Sequence, residues 1–186
     1  IIADGKALGD GLAELRSMNG VELGLHFNLT YAVSGARSPS RWLWAWLAAS
    51  FDRAALQLRV RGEMERQLRI LEARHLTVQY LDGHHPIHLL PGLLSSVADL
   101  LERAGIKTVR IPLDARMLFS LRAPLVILAW LAQREVTHLG LRFTPCVYPP
   151  SGAYADPARV RTALQQAWLK GPQCEVIVHP AAFNDL

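Results

Sequence analysis

The sequence predicts an α/β fold built on a mostly parallel sheet, from three observations. Short β-branched or aromatic runs, bounded by Gly, Pro or Asp, alternate with longer helical stretches. One run, 21–30, sets Val21, Leu23, Leu25, Phe27 and Leu29 against Glu22, Gly24, His26, Asn28 and Thr30, an unbroken period of two. Four of the seven histidines follow directly on two such runs. The carboxyl ends of strands are where an α/β enzyme exposes its chemistry.

The first helix is expected over 8–17, before the strand at 21–30, and a long amphipathic region over 42–73 follows that strand. A strand over 77–82 leads into Asp82-Gly83-His84-His85-Pro86-Ile87-His88. The next helix, 91–104, carries Pro91 in its first turn and Gly105 just past its end. Strands at 107–111 and 139–144 flank a helix over 124–134. The last helix, 157–170, has Asp156 as N-cap, Pro157 at its first position and Gly171 as its stop. A final strand covers 175–179 and runs into Pro180, which ends the ladder. The proline-rich 148–152 reads as a loop after a strand rather than a domain boundary. One domain is expected over 1–186.

Composition narrows the classes. At 51% apolar residues the chain can bury a sizeable core. Twenty basic residues against sixteen acidic ones make it only mildly cationic. No Lys/Arg run is interleaved with aromatics, so no nucleic-acid partner is expected. The longest apolar run, 123–132, falls well short of the roughly 18–20 residues of a membrane span, and a buried helix is expected there. No signal-like segment opens the chain, and a cytoplasmic protein is expected. Both ends look cut. Cys146 and Cys174 lack CxxC spacing and read as buried thiols, with a disulfide left open.

Two polar islands carry the chemistry. His26 lies late in its strand with Asn28 on the same face. In the second island three histidines and a carboxylate fall within seven residues, a density that packing does not explain. Neutral imidazole and carboxylate suit a divalent metal. His84 and His88 have HxxxH spacing, but Gly83 and Pro86 argue against a regular helix, and the glutamate of HExxH is missing. A turn directing these side chains into a cleft is the better reading. His179, at a strand end before Pro180, and Arg110, at the end of 107–111, each fit a structural or a functional role. His75 and His138 are expected in solvated turns. Trp42, Trp44 and Trp46 fit a core more readily than a sugar site.

With these residues laid out, the chain resembles the YdjC-like carbohydrate deacetylases, which include chitooligosaccharide deacetylases and hopanoid-associated relatives. Gly24-Leu25-His26-Phe27-Asn28-Leu29-Thr30, the island from Asp82 to His88, and Glu175-Val176-Ile177-Val178-His179-Pro180 look like three of the family's motifs in family order. The resemblance implies a distorted (β/α) barrel, one divalent metal ion (magnesium or zinc) and hydrolysis of an N-acetyl amide on an amino sugar, oligosaccharide or sugar-lipid. Carried over by motif, His26 and His84 are metal ligands, and Asp82 and His179 are catalytic. Arg110, Asn28 and His88 are substrate contacts. A homodimer is compatible with it.

Two departures from the pattern stand out. The family opens on a strand ending Ala-Asp-Asp-Phe-Gly, whose aspartates supply a third ligand and the catalytic base. The match instead places 1–5 at the family's second strand, so the chain shows no evident base and is expected to be nearly inactive without residues ahead of Ile1. Pro86 stands where the family commonly has a middle histidine. Two other readings compete: a sugar-binding relative without catalysis, and a metal-dependent phosphoesterase on a similar barrel. The second would want more carboxylate ligands and phosphate-binding cations near the site.

Overall fold

A computed structural model describes residues 1–3, 5, 8–16, 18–29, 52–84, 88–111, 123–144, 147–148, 158, 161–162, 165 and 175–176. In chain order the elements are α1 (Leu8–Arg16), β1 (Gly24–Phe27), α2 (Arg53–Glu72), β2 (Tyr80–Gly83), α3 (Leu93–Ser96), α4 (Ala98–Arg103), β3 (Thr108–Val109), α5 (Ala123–His138), β4 (Arg142–Phe143), β5 (Val147–Tyr148) and β6 (Glu175–Val176). Strands β1 to β4 form a parallel sheet in sequence order, and β5 and β6 form a parallel pair of their own. The expected α/β class with parallel strands and helical connections is therefore present.

Register sorts the side chains onto two faces, because successive residues of a strand alternate. Leu25, Leu81, Val109 and Phe143 stand in one row. The first three are completely buried and join Val60, Met64 and Leu71 of α2, Leu100 and Leu101 of α4, and Ala129, Ala132 and Val136 of α5 in one core. The opposite face is polar. Gly24, Tyr80, Thr108 and Arg142 align across it, and His26 stands opposite Asp82 one rung further on. A cavity of about 740 Å³ runs along this face, lined by Tyr80, Thr108, Arg110, Arg142, Thr144 and Glu175 among others.

Local signals account for the helix boundaries. The Asp52 carboxylate caps α2 by accepting from the Ala55 amide at 2.9 Å. Gly105 (φ 74°) ends α4, with the Ile106 amide reaching back to the Leu101 carbonyl at 2.9 Å. Gly140 ends α5 in the same way, through the Leu141 amide on the Val136 carbonyl at 3.0 Å.

The expected helix over 91–104 is instead two helices. Gly92 is left-handed (φ 78°), and Val97 leaves helical geometry at φ −123°, ψ 9°. Tertiary partners hold the first break: the Glu135 carboxylate accepts from the Gly92 amide and Gln57 donates to its carbonyl. Of the strand expected over 21–30, Gly24–Phe27 forms β1; beyond it the Asn28 backbone is met by the side chain of Gln67, and Thr30 lies outside the described residues. Val147–Tyr148, expected within or beside a loop, pairs with β6. Ile1 makes both bonds of a parallel rung on the edge of β1 away from β2, its amino group on the Gly24 carbonyl and its carbonyl receiving the His26 amide, each at 2.7 Å. His75 and His138 are exposed as expected.

Candidate functional site

The site is assembled where β1, β2 and β3 end. Because His26 and Asp82 occupy the same rung on the polar face, their side chains meet, with Nδ1 of His26 2.5 Å from Oδ2 of Asp82. An ionised carboxylate offers only acceptors, so this nitrogen carries a proton, and in the neutral ring Nε2 keeps its lone pair. That lone pair faces His84, whose Nδ1 lies 3.2 Å away, with the two rings edge to face at 76°. The backbones of these two histidines are also tied: the His84 amide donates to the Phe27 carbonyl at 2.8 Å. Gly83 is the last residue of β2, opposite Phe27, and the chain bends at His84. A Cβ at Gly83 would run into the imidazole of His88.

Arg110 organises the carboxylate side of the site. One guanidinium nitrogen meets Oδ2 of Asp82 at 2.5 Å, the oxygen already shared with His26, and another pairs with Glu175 on β6. The three side chains are largely buried, at 17%, 9% and 21% exposure for Arg110, Asp82 and Glu175. Burial pushes the Asp82 carboxyl upward, but the hydrogen bond from His26 and the charge of Arg110 outweigh it. The group stays below its ordinary value and ionised.

His88 lies beneath this layer, 3% exposed, and its Nε2 donates to the Arg110 carbonyl at 2.8 Å. Burial holds its pKa below the usual imidazole value, against the raising effects of that hydrogen bond and of Asp82. Asn28 is 1% exposed, with its backbone on both sides bonded to Gln67 of α2. The structure thus brings together His26, Asp82, His84 and Arg110, with His88 supporting them from below and Asn28 continuing the strand. His179 lies outside the described residues, as do His85, Pro86 and Asp4.

The spacing of His26 and His84, a hydrogen-bond contact, is also compatible with two ligands of one metal ion. Nitrogens held at about 2.0–2.1 Å by one ion stand roughly 2.9–3.4 Å apart for angles between a right angle and the tetrahedral one. The observed 3.2 Å lies in that interval. A carboxylate on the far nitrogen of a ligating imidazole is the usual outer partner, since it fixes tautomer and ring orientation. Two imidazole donors suit zinc better than magnesium, which prefers oxygen. Among the described residues no group of three His, Cys, Asp or Glu side chains converges as a complete set.

Two contributors escaped the motif reading. Glu175, the first residue of the third motif, is the second carboxylate on Arg110. Gln67 carried a signal of its own: it falls on the buried stripe Val60, Met64, Gln67, Leu71 of α2 as its one polar member. A fully buried polar side chain needs partners, and that need is a mark of function or architecture.

The family model described as YdjC-like protein matches residues 1–185, and so spans all three motifs and the site they build. Comparison with curated proteins and with solved structures gives no match. The chain belongs to the YdjC-like family.

Proposed function

We propose that this chain is a carbohydrate N-deacetylase domain that binds one divalent ion, zinc in preference to magnesium, through His26 and His84, on a sheet that curves toward a barrel. One observation carries the reading: within a YdjC-like chain, Nε2 of a carboxylate-oriented histidine faces a second imidazole nitrogen at a spacing that suits two ligands of one ion. When bound, such an ion polarises an amide carbonyl and acidifies a water molecule.

The chain's own residues prepare that chemistry. Asp82 keeps the proton of His26 on Nδ1, so that Nε2 stays a donor of electrons. Arg110 keeps Asp82 ionised while Glu175 balances the guanidinium charge. With both its terminal nitrogens engaged by carboxylates, Arg110 serves first as an orienting cation. Departure of an amine needs a proton, for which His179, four residues after Glu175 in the sequence, is the candidate. The substrate class is an N-acetylated amino sugar or oligosaccharide. No helix among the described residues is long and apolar enough to cross a membrane.

The test is acetate release from an N-acetylated chitooligosaccharide by zinc-loaded protein that carries the residues ahead of Ile1, alongside metal analysis. His26→Ala and His84→Ala should each lose bound zinc and turnover together. Full zinc occupancy in both variants would overturn the ligand assignment. Hydrolysis of a phosphate ester in place of the amide would overturn the reaction class.

A further inference from the structure

The carboxamide of Gln67 projects from α2 onto the backbone of Asn28, two residues beyond His26. Its Oε1 accepts from the Asn28 amide at 3.2 Å and its Nε2 donates to the Asn28 carbonyl at 2.8 Å. Exchange of both bonds with a single residue is what an opposing residue does in a hydrogen-bonded strand pair. The second hydrogen of Nε2 goes to Glu63 at 2.7 Å, one helical turn earlier. Gln67 is completely buried, and every hydrogen-bonding position of its amide nitrogen is used, which removes the cost of burying it.

The rung that Gln67 fills explains why a side chain is needed there. Backbone polar groups alternate between the two edges of a strand. On β1, Leu23 and Phe27 turn their carbonyls toward β2, accepting from the Gln79 and His84 amides. Gly24 and His26 turn to the other edge, where Ile1 makes its rung. Asn28 follows His26 on that second edge. Among the described residues, chain pairing there reaches the His26 amide, and Gln67 takes the Asn28 amide and carbonyl beyond it. Its orientation is specified as well. Glu63 can only accept, so Nε2 must be the atom between Glu63 and the Asn28 carbonyl. Glu63 is itself gripped by Arg66, whose Nη2 lies 2.6 Å from Oε1.

We propose that Gln67 is a positioning residue for the His26–Asp82–His84 site: its carboxamide stands in for a neighbouring strand at the end of β1 and holds the backbone that carries His26, with Glu63 setting the direction of the amide. The inference rests on the deacetylase reading only for the choice of zinc as a probe.

The experiment compares Gln67→Leu, Gln67→Glu and the core control Met64→Ala by amide hydrogen exchange, zinc titration and Tm. Met64 is also buried on α2, 1% exposed, and touches the same core without a polar role. Gln67→Leu should expose the Asn28 amide to exchange and weaken zinc binding about tenfold or more, the scale of an outer-shell loss. Gln67→Glu keeps size but sets a carboxylate against Glu63 and the Asn28 carbonyl, so it should lose zinc affinity to a similar extent and provides the answer if the leucine variant does not fold. Met64→Ala should lower Tm while zinc affinity and Asn28 protection stay as in wild type. Equal loss of zinc affinity in Met64→Ala, or an Asn28 amide equally protected in both Gln67 variants, would overturn the proposal. If wild type itself fails to bind zinc, the metal reading falls, and the Asn28 amide still decides the role of Gln67.

Discussion

His26 and Asp82 share one rung of the parallel sheet, and their side chains close to 2.5 Å between Nδ1 and Oδ2 although 56 residues separate them. This contact decides which nitrogen of His26 is left for a ligand. It also decides the direction in which that nitrogen points, toward Nδ1 of His84.

Asp82→Asn preserves shape but offers a donor as well as an acceptor. The amide can therefore reverse the His26 tautomer and put the proton on Nε2. Zinc affinity should fall about 10–100-fold, as for other outer-shell partners, in competition titration against a chelator. Unchanged affinity would show that the Nδ1 partner is irrelevant to the site.

Arg110→Gln leaves Asp82 and Glu175 facing each other without their shared cation. Breaking a buried pair costs about 3–5 kcal/mol, and the partial exposure here argues for the lower end of that range. Urea unfolding at neutral pH should show the loss. The deficit should shrink as pH falls, because the orphaned carboxylates can then take protons. A deficit independent of pH would mean that Arg110 contributes packing rather than charge.

Burial lowers the pKa of His88, so as pH falls the unfolded chain takes up that proton before the folded one does. The stability this group contributes is complete above its unfolded value of 6.5 and is lost progressively below it. Asp82, with a lowered carboxyl pKa, adds a further loss at more acidic pH, beginning near its unfolded value of 3.8. Tm should therefore fall on acidification from neutrality. His88→Gln, which can still donate to the Arg110 carbonyl, should flatten the portion of the curve just below 6.5. An identical profile in the variant would remove His88 as its source.

Two glycines should respond in opposite directions to alanine. At Gly83 the new methyl overlaps the buried His88 ring, and such overpacking costs about 1–3 kcal/mol. At Gly62, within α2, the methyl meets no heavy atom within 4 Å, and helix propensity favours alanine by about 0.5–1 kcal/mol. Chemical denaturation of both variants checks the pair. Destabilisation by Gly62→Ala would contradict the helical environment, and tolerance of Gly83→Ala would contradict the packing of His88 on that turn.

Much of the site was legible because its signals are local. The strict alternation through His26 placed it on the polar face of a strand, and β1 bears that out. Asp82 followed by glycine marked a strand end, and β2 runs one residue further, through Gly83. The helix stop at Gly105 followed from a residue type that tolerates positive φ, whereas Gly140, expected inside the strand 139–144, instead closes α5. The break at Val97 was not legible, since no proline or glycine marks it. Strand β5 was not legible either, because two residues carry no period and its partner β6 is distant in sequence.

The sequence by itself determined the class of fold, which residues of β1 turn to its polar face, and the family to which the motifs point. Those properties depend on the period of the backbone and on residue chemistry, which act over a few positions. Only the tertiary structure decided that Arg110 is shared between Asp82 and Glu175, that His84 rather than His88 meets His26, and that Gln67 completes the strand at Asn28. Each depends on the register between strands and on the placement of α2 against β1. Register is set when the apolar row of Leu25, Leu81 and Val109 is buried together, and no local stretch of chain contains that information.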